Sequence, residues 1–389
     1  MADYIKVKLS RNLRRSILRG HPWVYKDAVQ APDRKISRAQ CCQVLDAKGP
    51  LAWAIYDPHG PLALRILQTE KREVPTRSFF EERFARANRL RQSLPSHLSD
   101  SYRLFNGEGD WLPGLVCDLY GSVAVIQFDG QGPSEFWDRE LVTNWLLEAT
   151  SCKAVVEKSR RSSEKALEVL GGVLQSSEVV IQENGVRFKV NLEKGQKTGF
   201  FLDQRDNRNY VRQISAGKSV LNLFSYSGGF SIYAGLGGAK KVASLDISRG
   251  AIELAEENWA LNGLQTAQHT GLCVDVFEYL QNDRELWDHI IVDPPSMSHA
   301  ETQRATAKSK YVELFAAAAK RVSVGGELSV SSCSSHVSFD DFFEIIEEAL
   351  SLARRRAQIL RVSGQGLDHP FPHACHELRY LKFVHMALD

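Results

Sequence analysis

Apolar and polar positions follow a repeating pattern in the second half of the chain. From about residue 185 onward, short runs that are almost wholly apolar alternate with segments whose apolar residues recur at helical spacing. Continuous apolar runs are typical of strands buried on both faces of a parallel sheet. The runs are SVLNLF, KVASLD, HIIVD and GELSVSS, with ELRYLKFVHMAL as a late strand, and the helical segments are 229–236, 248–262, 306–322 and 338–352. This alternation predicts an α/β fold with a doubly wound, Rossmann-like sheet.

The first half of the chain has a different pattern. Residues 1–75 are β-rich, with strands separated by turns at Lys48-Gly49-Pro50 and Asp57-Pro58-His59-Gly60. In residues 77–184, apolar residues recur at helical spacing in some segments and form strand-like runs in others. This pattern predicts a small α+β domain, with helices over 77–94, 135–149 and 162–170 and a strand at KAVVEK. The sequence therefore predicts three domains, 1–75, 77–184 and 185–389.

Composition narrows the class of protein. The chain has 389 residues, of which 43% are hydrophobic and 25% charged, as in ordinary globular proteins. No apolar run approaches the roughly 20 residues of a membrane span, and the start has no secretory signal, so a cytoplasmic location is expected. The seven cysteines form no CxxC pair, and the spacing of His369, His373, Cys375 and His376 matches no standard zinc pattern. We expect neither a disulfide framework nor a metal site.

Charge is distributed unevenly. The net charge is +2, but residues 1–40 carry +7 and the remainder −5. A basic end on a near-neutral chain predicts a polyanionic partner such as RNA, and a solvated surface is the alternative explanation. The residues expected to contact RNA are Lys6, Lys8, Arg11, Arg14 and Arg15.

The ends of the predicted strands indicate what the sheet binds. Gly228 and Gly229 follow the first strand and let the backbone approach a ligand, while Asp246 ends the next strand and can accept hydrogen bonds from ribose hydroxyls. The dinucleotide-binding motif GxGxxG does not follow the first strand, so a ligand that contains a pyrophosphate group is disfavoured. S-adenosylmethionine (SAM) has a ribose and no phosphate. A third predicted strand ends at Asp275 and Val276, which can supply an acidic group and a backbone N–H to the adenine of SAM. Glycines serving a tight turn alone are the other interpretation.

Asp293 and Cys333 follow two further predicted strands. The two prolines after Asp293 stiffen its turn, and Ser296 stands where many amino-methylating enzymes have an aromatic residue. C5 of cytosine is a poor nucleophile until a thiolate adds to C6, and a carboxyl group at N3 stabilises that adduct. The pair therefore indicates methylation of cytosine C5, with His336 or backbone N–H groups lowering the pKa of Cys333. A structural cysteine is the alternative.

Several segments in order resemble one known family. They are SRNLRRSILRGHPWVYKDAV, LFNGEGDWLPGLVCDLYG, GQKTGFFLDQRDNR, LNLFSYSGGFSIYA, VDPPS, SSCSSH and DHPF…YLK, and they span nearly the whole chain. The chain resembles the bacterial large-subunit (23S) ribosomal RNA cytosine-5 methyltransferases of the stand-alone type with an N-terminal PUA domain. One departure is PFPHACHELRYLK, which is longer than the family's Pro-Glu link.

The resemblance implies a PUA-like RNA-binding domain, a connecting domain and a class I SAM-dependent methyltransferase domain. It implies Cys333 as nucleophile and large-subunit ribosomal RNA as partner, with Arg160 and Arg161 as further RNA contacts. It implies SAM contacts at Gln204, Arg205, Phe224, Ser225, Tyr226, Ser227, Gly228, Gly229, Asp246, Ile247, Asp275, Val276 and Asp293.

Two alternatives stay open at this level. One is a SAM-dependent RNA methyltransferase that modifies another base or atom, with Cys333 structural. The other is a non-catalytic RNA-binding protein. The sequence also leaves the oligomeric state open, with a homodimer as one option.

Overall fold

Two groups of segments fold as compact units in the computed structural model, which describes residues 4–32, 34–69, 73–94, 98–159, 167–297 and 304–389. The first unit comprises Met1–Gln182, Val190–Leu202 and Leu367–Leu378, and the second comprises Glu183–Lys189, Asp203–Gly366 and Arg379–Asp389. The division into three domains, 1–75, 77–184 and 185–389, stays a prediction from the sequence.

The first unit contains two five-stranded sheets. One has the order β1-β3-β4-β5-β2 and is built from β1 (Ile5–Lys8), β2 (Trp23–Tyr25), β3 (Gln40–Asp46), β4 (Gly49–Tyr56) and β5 (Leu62–Gln68), with α1 (Arg14–Leu18). The other has the order β10-β9-β8-β7-β6 and is built from β6 (Ser101–Asn106), β7 (Leu115–Tyr120), β8 (Val123–Phe128), β9 (Ala154–Lys158) and β10 (Leu167–Gly172). Its helices are α2 (Arg77–Arg91), α3 (Gln131–Phe136) and α4 (Arg139–Ala149). The hairpin strands β11 (Glu178–Glu183) and β12 (Val186–Asn191) follow in the chain.

One helix prediction in this region is wrong, and the bounds of another are corrected. The helix over 162–170 is contradicted where the structure describes it, because Leu167–Gly172 forms β10 and pairs antiparallel with β9. Gly171 and Gly172 disfavour a helix, and the strand gains ladder hydrogen bonds to β9 on both sides of an irregularity between Val169 and Gly171. The helix over 135–149 is two helices, because Asp138 caps α4 by accepting the N–H groups of Glu140 and Leu141.

A mixed seven-stranded sheet forms the centre of the second unit. Its order is β15-β14-β13-β16-β17-β19-β18, formed by β13 (Ser219–Leu223), β14 (Lys241–Asp246), β15 (His269–Cys273), β16 (Trp287–Val292), β17 (Val322–Ser332), β18 (Ala357–Ser363) and β19 (Lys382–Leu388). Strands β13 to β17 are parallel, and β19 is antiparallel to both neighbours. The predicted doubly wound, Rossmann-like sheet is confirmed, with β18 as a strand that the apolar pattern did not reveal.

Helices cover both faces of this sheet. They are α5 (Arg205–Ile214), α6 (Gly229–Leu236), α7 (Arg249–Leu261), α8 (Val276–Asn282), α9 (Arg304–Ala319) and α10 (Phe339–Ala353). Leu221, Leu245 and Ile290 pack with residues of α8, α9 and α10 in one apolar core. The opposite face has a polar seam, in which Ser231 of α6 joins Asn222 and Ser244 through hydrogen bonds of 2.9 and 2.6 Å.

Strand order reverses between β13 and β16, because β14 and β15 lie on one side of β13 while β16 and β17 lie on the other. In open sheets of this kind, ligands bind beyond the carboxyl ends of the strands at that reversal. No helix among the described residues is long and apolar enough to cross a bilayer.

Candidate active site

The loop after β13 has a strained backbone. Phe224 and Tyr226 have φ values of 59° and 46°, in the left-handed region that bulky residues rarely adopt. Such conformations cost about 1–3 kcal/mol each and cluster at ligand sites. Hydrogen bonds hold the loop, from Ser225 N–H to Leu245 O (2.8 Å) and from Tyr226 N–H to Asp246 Oδ2 (2.9 Å).

Gly228 and Gly229 have a packing role in this loop. Gly228 has φ 76°, and a Cβ there would lie 2.8 Å from the Cβ of Ala255 on α7. A Cβ on Gly229 would lie 3.0 Å from Cδ of Arg208. These contacts explain the glycine pair through helix packing as well as through the shape of the loop.

Asp246 is fixed at the carboxyl end of β14. Its Oδ2 accepts the Tyr226 N–H and its Oδ1 accepts the Ser248 N–H, both at 2.9 Å. Beside it, Ile247 is 73% exposed and Val274 is 37% exposed, and Val274 N–H donates to Asp246 O at 3.1 Å. Two exposed apolar side chains next to a fixed carboxylate suit an adenine ring attached to a ribose, so these residues fit SAM.

Asp275 and Val276 lie at the start of α8. Asp275 is exposed and caps the helix by accepting the Glu278 N–H at 3.0 Å. The Val276 side chain is buried in the core, so only its backbone N–H group is available to a ligand.

Asp293 lies just beyond β16 and is held by two side chains. Gln204 Nε2 donates to Asp293 Oδ1 at 2.9 Å, and Ser331 Oγ donates to the same oxygen at 2.7 Å. Gln204 is buried, and its own Oε1 accepts from Asn207 Nδ2 at 2.6 Å. The structure therefore brings together Gln204 and Asp293, which are 89 residues apart in the chain.

Arg205 takes part in a buried charge cluster. Its Nε lies 3.6 Å from Glu183 Oε2, and Arg208 donates to both oxygens of Glu183 at 2.8 and 2.7 Å. All three residues are buried. This arrangement ties the start of α5 to the chain at Glu183 and adds a structural role to the predicted cofactor contact.

Cys333 directly follows β17, whose neighbour β16 ends at Val292, one residue before Asp293. Val292 and Val330 are partners in the β16–β17 ladder, and β17 continues two residues further, to Ser332. Cys333 is partly exposed. Beneath it, Tyr311 is buried and accepts from Ser332 Oγ at 3.1 Å. Burial, with the negative charges of Cys333 and Asp293 as smaller contributions, raises the pKa of Tyr311 to about 12.

Lys382, in the YLK segment, is a neighbour of Cys333 to which no sequence pattern assigns a role. It is opposite Ser332 in the β17–β19 ladder and only 1% exposed. Its Nζ donates to Ser334 O at 2.5 Å and to Tyr380 O at 2.8 Å. Burial lowers the pKa of Lys382 to about 8, although the negative charges of Cys333 and Asp341 act in the opposite direction. A buried ammonium group therefore lies beside the predicted nucleophile.

The predicted RNA contacts lie in the first unit. Lys6 and Lys8 are the exposed positions of β1, and Arg15 is exposed on α1. Arg11 pairs with Asp27 at 2.9 Å and Arg14 with Asp46 at 2.8 Å, so these two charges are partly neutralised. Arg160 and Arg161 lie outside the described residues.

Two groups of metal-type donor atoms occur among the described residues, each with its atoms within 4.8 Å of one another. They are His21, Cys375 and Glu377, and His289, Glu327 and His385. In the second group, Lys218 Nζ pairs with Glu327 Oε2 at 2.6 Å. The ammonium group of Lys218 therefore competes with a metal ion for this carboxylate. The sequence-based expectation of no metal stays a prediction.

Comparison with known proteins identifies the class that this sheet and its loops define. The S-adenosylmethionine-dependent methyltransferase family model matches residues 103–352, and a PUA-like domain matches residues 7–69. The chain belongs to the SAM-dependent methyltransferase family, and SAM is its methyl donor. It carries a PUA-like domain in addition.

Relatives in several organisms match the chain along almost its full length. A ribosomal RNA large subunit methyltransferase of Deinococcus radiodurans is 37% identical over 100% of this chain and 98% of its own length. The ribosomal RNA large subunit methyltransferase I of Shewanella amazonensis is 34% identical over 97% of this chain and 98% of its own. These matches include both the PUA-like and the methyltransferase segments.

Solved structures share the fold. A SAM-dependent methyltransferase from Streptococcus mutans has a TM-score of 0.86 and 24% identity, covering 98% of this chain and all of its own. A methyltransferase solved in complex with SAH has a TM-score of 0.87 and 24% identity, with the same coverage. The fold of this chain is thus shared with these two structures.

Proposed function

We propose that this protein methylates C5 of a cytosine in large-subunit ribosomal RNA, using SAM and a covalent adduct with Cys333. The full-length relatives named as large-subunit ribosomal RNA methyltransferases support the substrate. Such a substrate would place the protein in the cytoplasm. The observation that carries the chemistry is a partly exposed Cys333 at the strand end next to that of Asp293.

Each site residue has a defined part in this reaction. SAM supplies an electrophilic methyl group when bound. Cys333 Sγ adds to C6 of the base, which places an electron pair on C5 and makes that carbon nucleophilic. Asp293 binds the N3 edge and stabilises the adduct. After C5 has taken the methyl group, a base removes the C5 proton, and the electron pair left behind re-forms the C5=C6 bond and expels the thiolate.

Lys382 supplies the positive charge that the nucleophile requires. A free thiol has a pKa of about 8.5, so only a few per cent is thiolate at neutral pH. The buried ammonium of Lys382 stabilises the thiolate of Cys333 and needs no contact with the substrate. In this proposal Lys382 is a positioning and activating residue, a role for which the sequence alone suggested His336 or backbone N–H groups.

A trapping experiment tests the mechanism. With ribosomal RNA that contains 5-fluorocytosine, a covalent complex should accumulate. Fluorine replaces the C5 proton that a base must remove before the thiolate is released. Cys333→Ala should form none, whereas Cys41→Ala, which changes another partly exposed cysteine in the first unit, should trap like the wild type. Methylation without trapping, together with an active Cys333→Ala variant, would refute the adduct.

The proposed cofactor residues are tested by binding. Asp246→Ala removes the carboxylate held by Tyr226 and Ser248, and we expect calorimetry to show SAM affinity reduced roughly 10- to 100-fold, the loss of about one or two hydrogen bonds to a charged group. Asp283→Ala, at the far end of α8, should bind SAM normally. Unchanged affinity of Asp246→Ala would contradict the placement of the ribose.

A further inference from the structure

The first unit contains a groove that is separate from the residues proposed for methyl transfer. Its volume is about 1620 Å³, larger than the roughly 300–1,000 Å³ of small-molecule sites. The groove is lined by α1 and the residues after it, by α2, by β5 and by residues 372–374. We call it the arginine groove, after the five arginines among its lining residues: Arg15, Arg19, Arg83, Arg86 and Arg89.

The groove is strongly basic. Three of the arginines recur every three residues along one face of α2, at 83, 86 and 89. The lining includes two glutamates, and Glu108 of this pair is already bound to Arg65 and to Trp23 Nε1. Within the described ranges, none of the five guanidinium groups forms an ion pair with a carboxylate. The groove therefore presents a surplus of positive charge to an anionic ligand.

Trp111 supplies an aromatic surface within this charge. It is 44% exposed, and the guanidinium of Arg86 lies 3.8 Å from its ring centre, with that of Arg83 at 5.4 Å. Its φ is 58°, a conformation that a bulky residue adopts only where the surrounding structure imposes it. The ring is thus held at the surface, stacked with cations.

Arg83 is fixed at the base of the groove. Its guanidinium donates to Leu67 O at 2.8 Å and to Trp111 O at 3.2 Å, and it lies 4.2 Å from the ring centre of Phe79. Burial and the nearby charge of Arg86 lower the pKa of Arg83 to about 10. An anion bound near Arg83 and Arg86 would reduce the electrostatic repulsion between their guanidinium groups.

We propose that the arginine groove binds a single-stranded segment of RNA, with phosphates on Arg86 and Arg89 and a base stacked on the Trp111–Arg86 pair. Arginines beside an exposed aromatic ring suit single-stranded nucleic acid, because phosphates bind cations and unpaired bases stack on flat surfaces. The size of the groove suits an extended chain better than one small anion. This inference rests on the proposed function in taking RNA as the ligand, and it adds α2 and Trp111 to the predicted basic residues of the PUA-like domain.

The test measures binding of a fluorescein-labelled single-stranded RNA dodecamer to the full chain by anisotropy at several salt concentrations. Arg86→Gln combined with Arg89→Gln should weaken binding about 10- to 100-fold at low salt and reduce the slope of log affinity against log salt by about 1.4, since each phosphate contact on a single strand contributes roughly 0.7. Trp111→Ala should weaken it about tenfold.

The matched control is Arg77→Gln combined with Arg356→Gln, which removes two exposed arginines outside the groove, one of them also on α2. This variant should bind RNA like the wild type. Unchanged affinity and slope in the Arg86/Arg89 variant would overturn the inference, and so would an equal loss in the control, which would indicate diffuse charge. The inference would also be overturned if the Arg86/Arg89 variant lost affinity only for an acidic protein and not for RNA.

Failure of the proposed function would be visible separately. If the wild type binds the dodecamer through the groove but neither methylates ribosomal RNA nor traps on 5-fluorocytosine, the inference stands and the proposed reaction falls. If the wild type methylates and traps while the groove variants bind and react normally, the reaction stands and the inference falls.

Discussion

Cys333 differs from most of the other cysteines in its surroundings. Cys42, Cys117 and Cys375 are buried, and burial raises the pKa of each thiol, which suits an inert core residue. Cys333 is partly exposed and has the ammonium group of Lys382 nearby. The identity of the residue alone does not distinguish these cases, because a cysteine is most often a small apolar side chain.

Replacing Lys382 should change the reactivity of Cys333. Lys382→Gln removes the charge, and a rise of one unit in the thiol pKa would lower the thiolate fraction, and hence alkylation by iodoacetamide at pH 7, about tenfold. The difference should be largest below pH 8, where Lys382 is protonated in the wild type. Mass spectrometry localises the modified cysteine.

Lys382→Arg keeps a cation at this position and should recover part of the rate. Equal alkylation rates in wild type and Lys382→Gln across the pH range would show that the lysine serves packing alone.

At the scale of the element, Gly228 just before α6 and Gly250 within α7 show that the surroundings of a glycine decide the effect of replacing it. Gly228→Ala places a Cβ 2.8 Å from that of Ala255 at a φ of 76°, so we expect the free energy of unfolding of the second unit to fall by about 1–3 kcal/mol. Gly250→Ala, within α7, meets nothing within 4 Å and should be neutral or stabilising by up to about 1 kcal/mol. Denaturant titrations compare them, and equal effects would contradict the packing argument.

Three strands of the central sheet share a buried polar network. Ser329 Oγ lies 2.8 Å from His289 Nε2 and 2.9 Å from His385 Nδ1. Burial lowers the pKa of His289 well below its usual value and that of His385 to about 4. Both imidazoles are therefore neutral in the folded protein at neutral pH, whereas an unfolded chain protonates histidine near pH 6.5.

This network should make the second unit sensitive to acid. Because the folded pKa of His385 is lowered, its contribution to stability is complete above about pH 6.5 and is lost as the pH falls toward 4, by about 1.4 kcal/mol per pH unit within that window. His385→Gln retains a hydrogen-bonding group and cannot take up the proton. Urea titrations at pH 7.5 and 5 should give a smaller loss for this variant than for the wild type, and an equal loss would exclude His385 as the source.

At the scale of the whole molecule, buried ion pairs connect segments that are distant in sequence. Arg91 of α2 binds both oxygens of Asp110 at 2.6 and 2.7 Å and also donates to Asp368 O at 2.8 Å. Asp110→Ala leaves a buried guanidinium without its carboxylate, which should cost about 3 kcal/mol and lower the melting temperature of the first unit.

The exposed pair of Arg77 and Glu81 on the same helix provides the comparison. Glu81→Ala should leave the melting temperature almost unchanged, because a pair in water contributes little. A similar shift in both variants would mean that burial does not set the strength of these pairs.

The repeating pattern in the second half of the chain was enough to predict the central sheet and the strand ends that carry Asp246, Asp293 and Cys333. In the first half of the chain, β10 was not predicted, because the helical propensity of residues 162–170 competed with pairing to β9, which only the fold reveals. Lys382 and Tyr311 were missed for a related reason. Each reaches Cys333 through strand or helix packing from a distant part of the chain, and no local spacing encodes that contact.

The segment Leu367–Leu378 has a consequence for biosynthesis. It is made after β18 yet belongs to the first unit, where Asp368 supplies a carbonyl to Arg91 and Pro370 one to Asn106. The amino-terminal half therefore cannot reach its final packing while it emerges from the ribosome. It has to wait, incomplete, until nearly all of the chain has been translated.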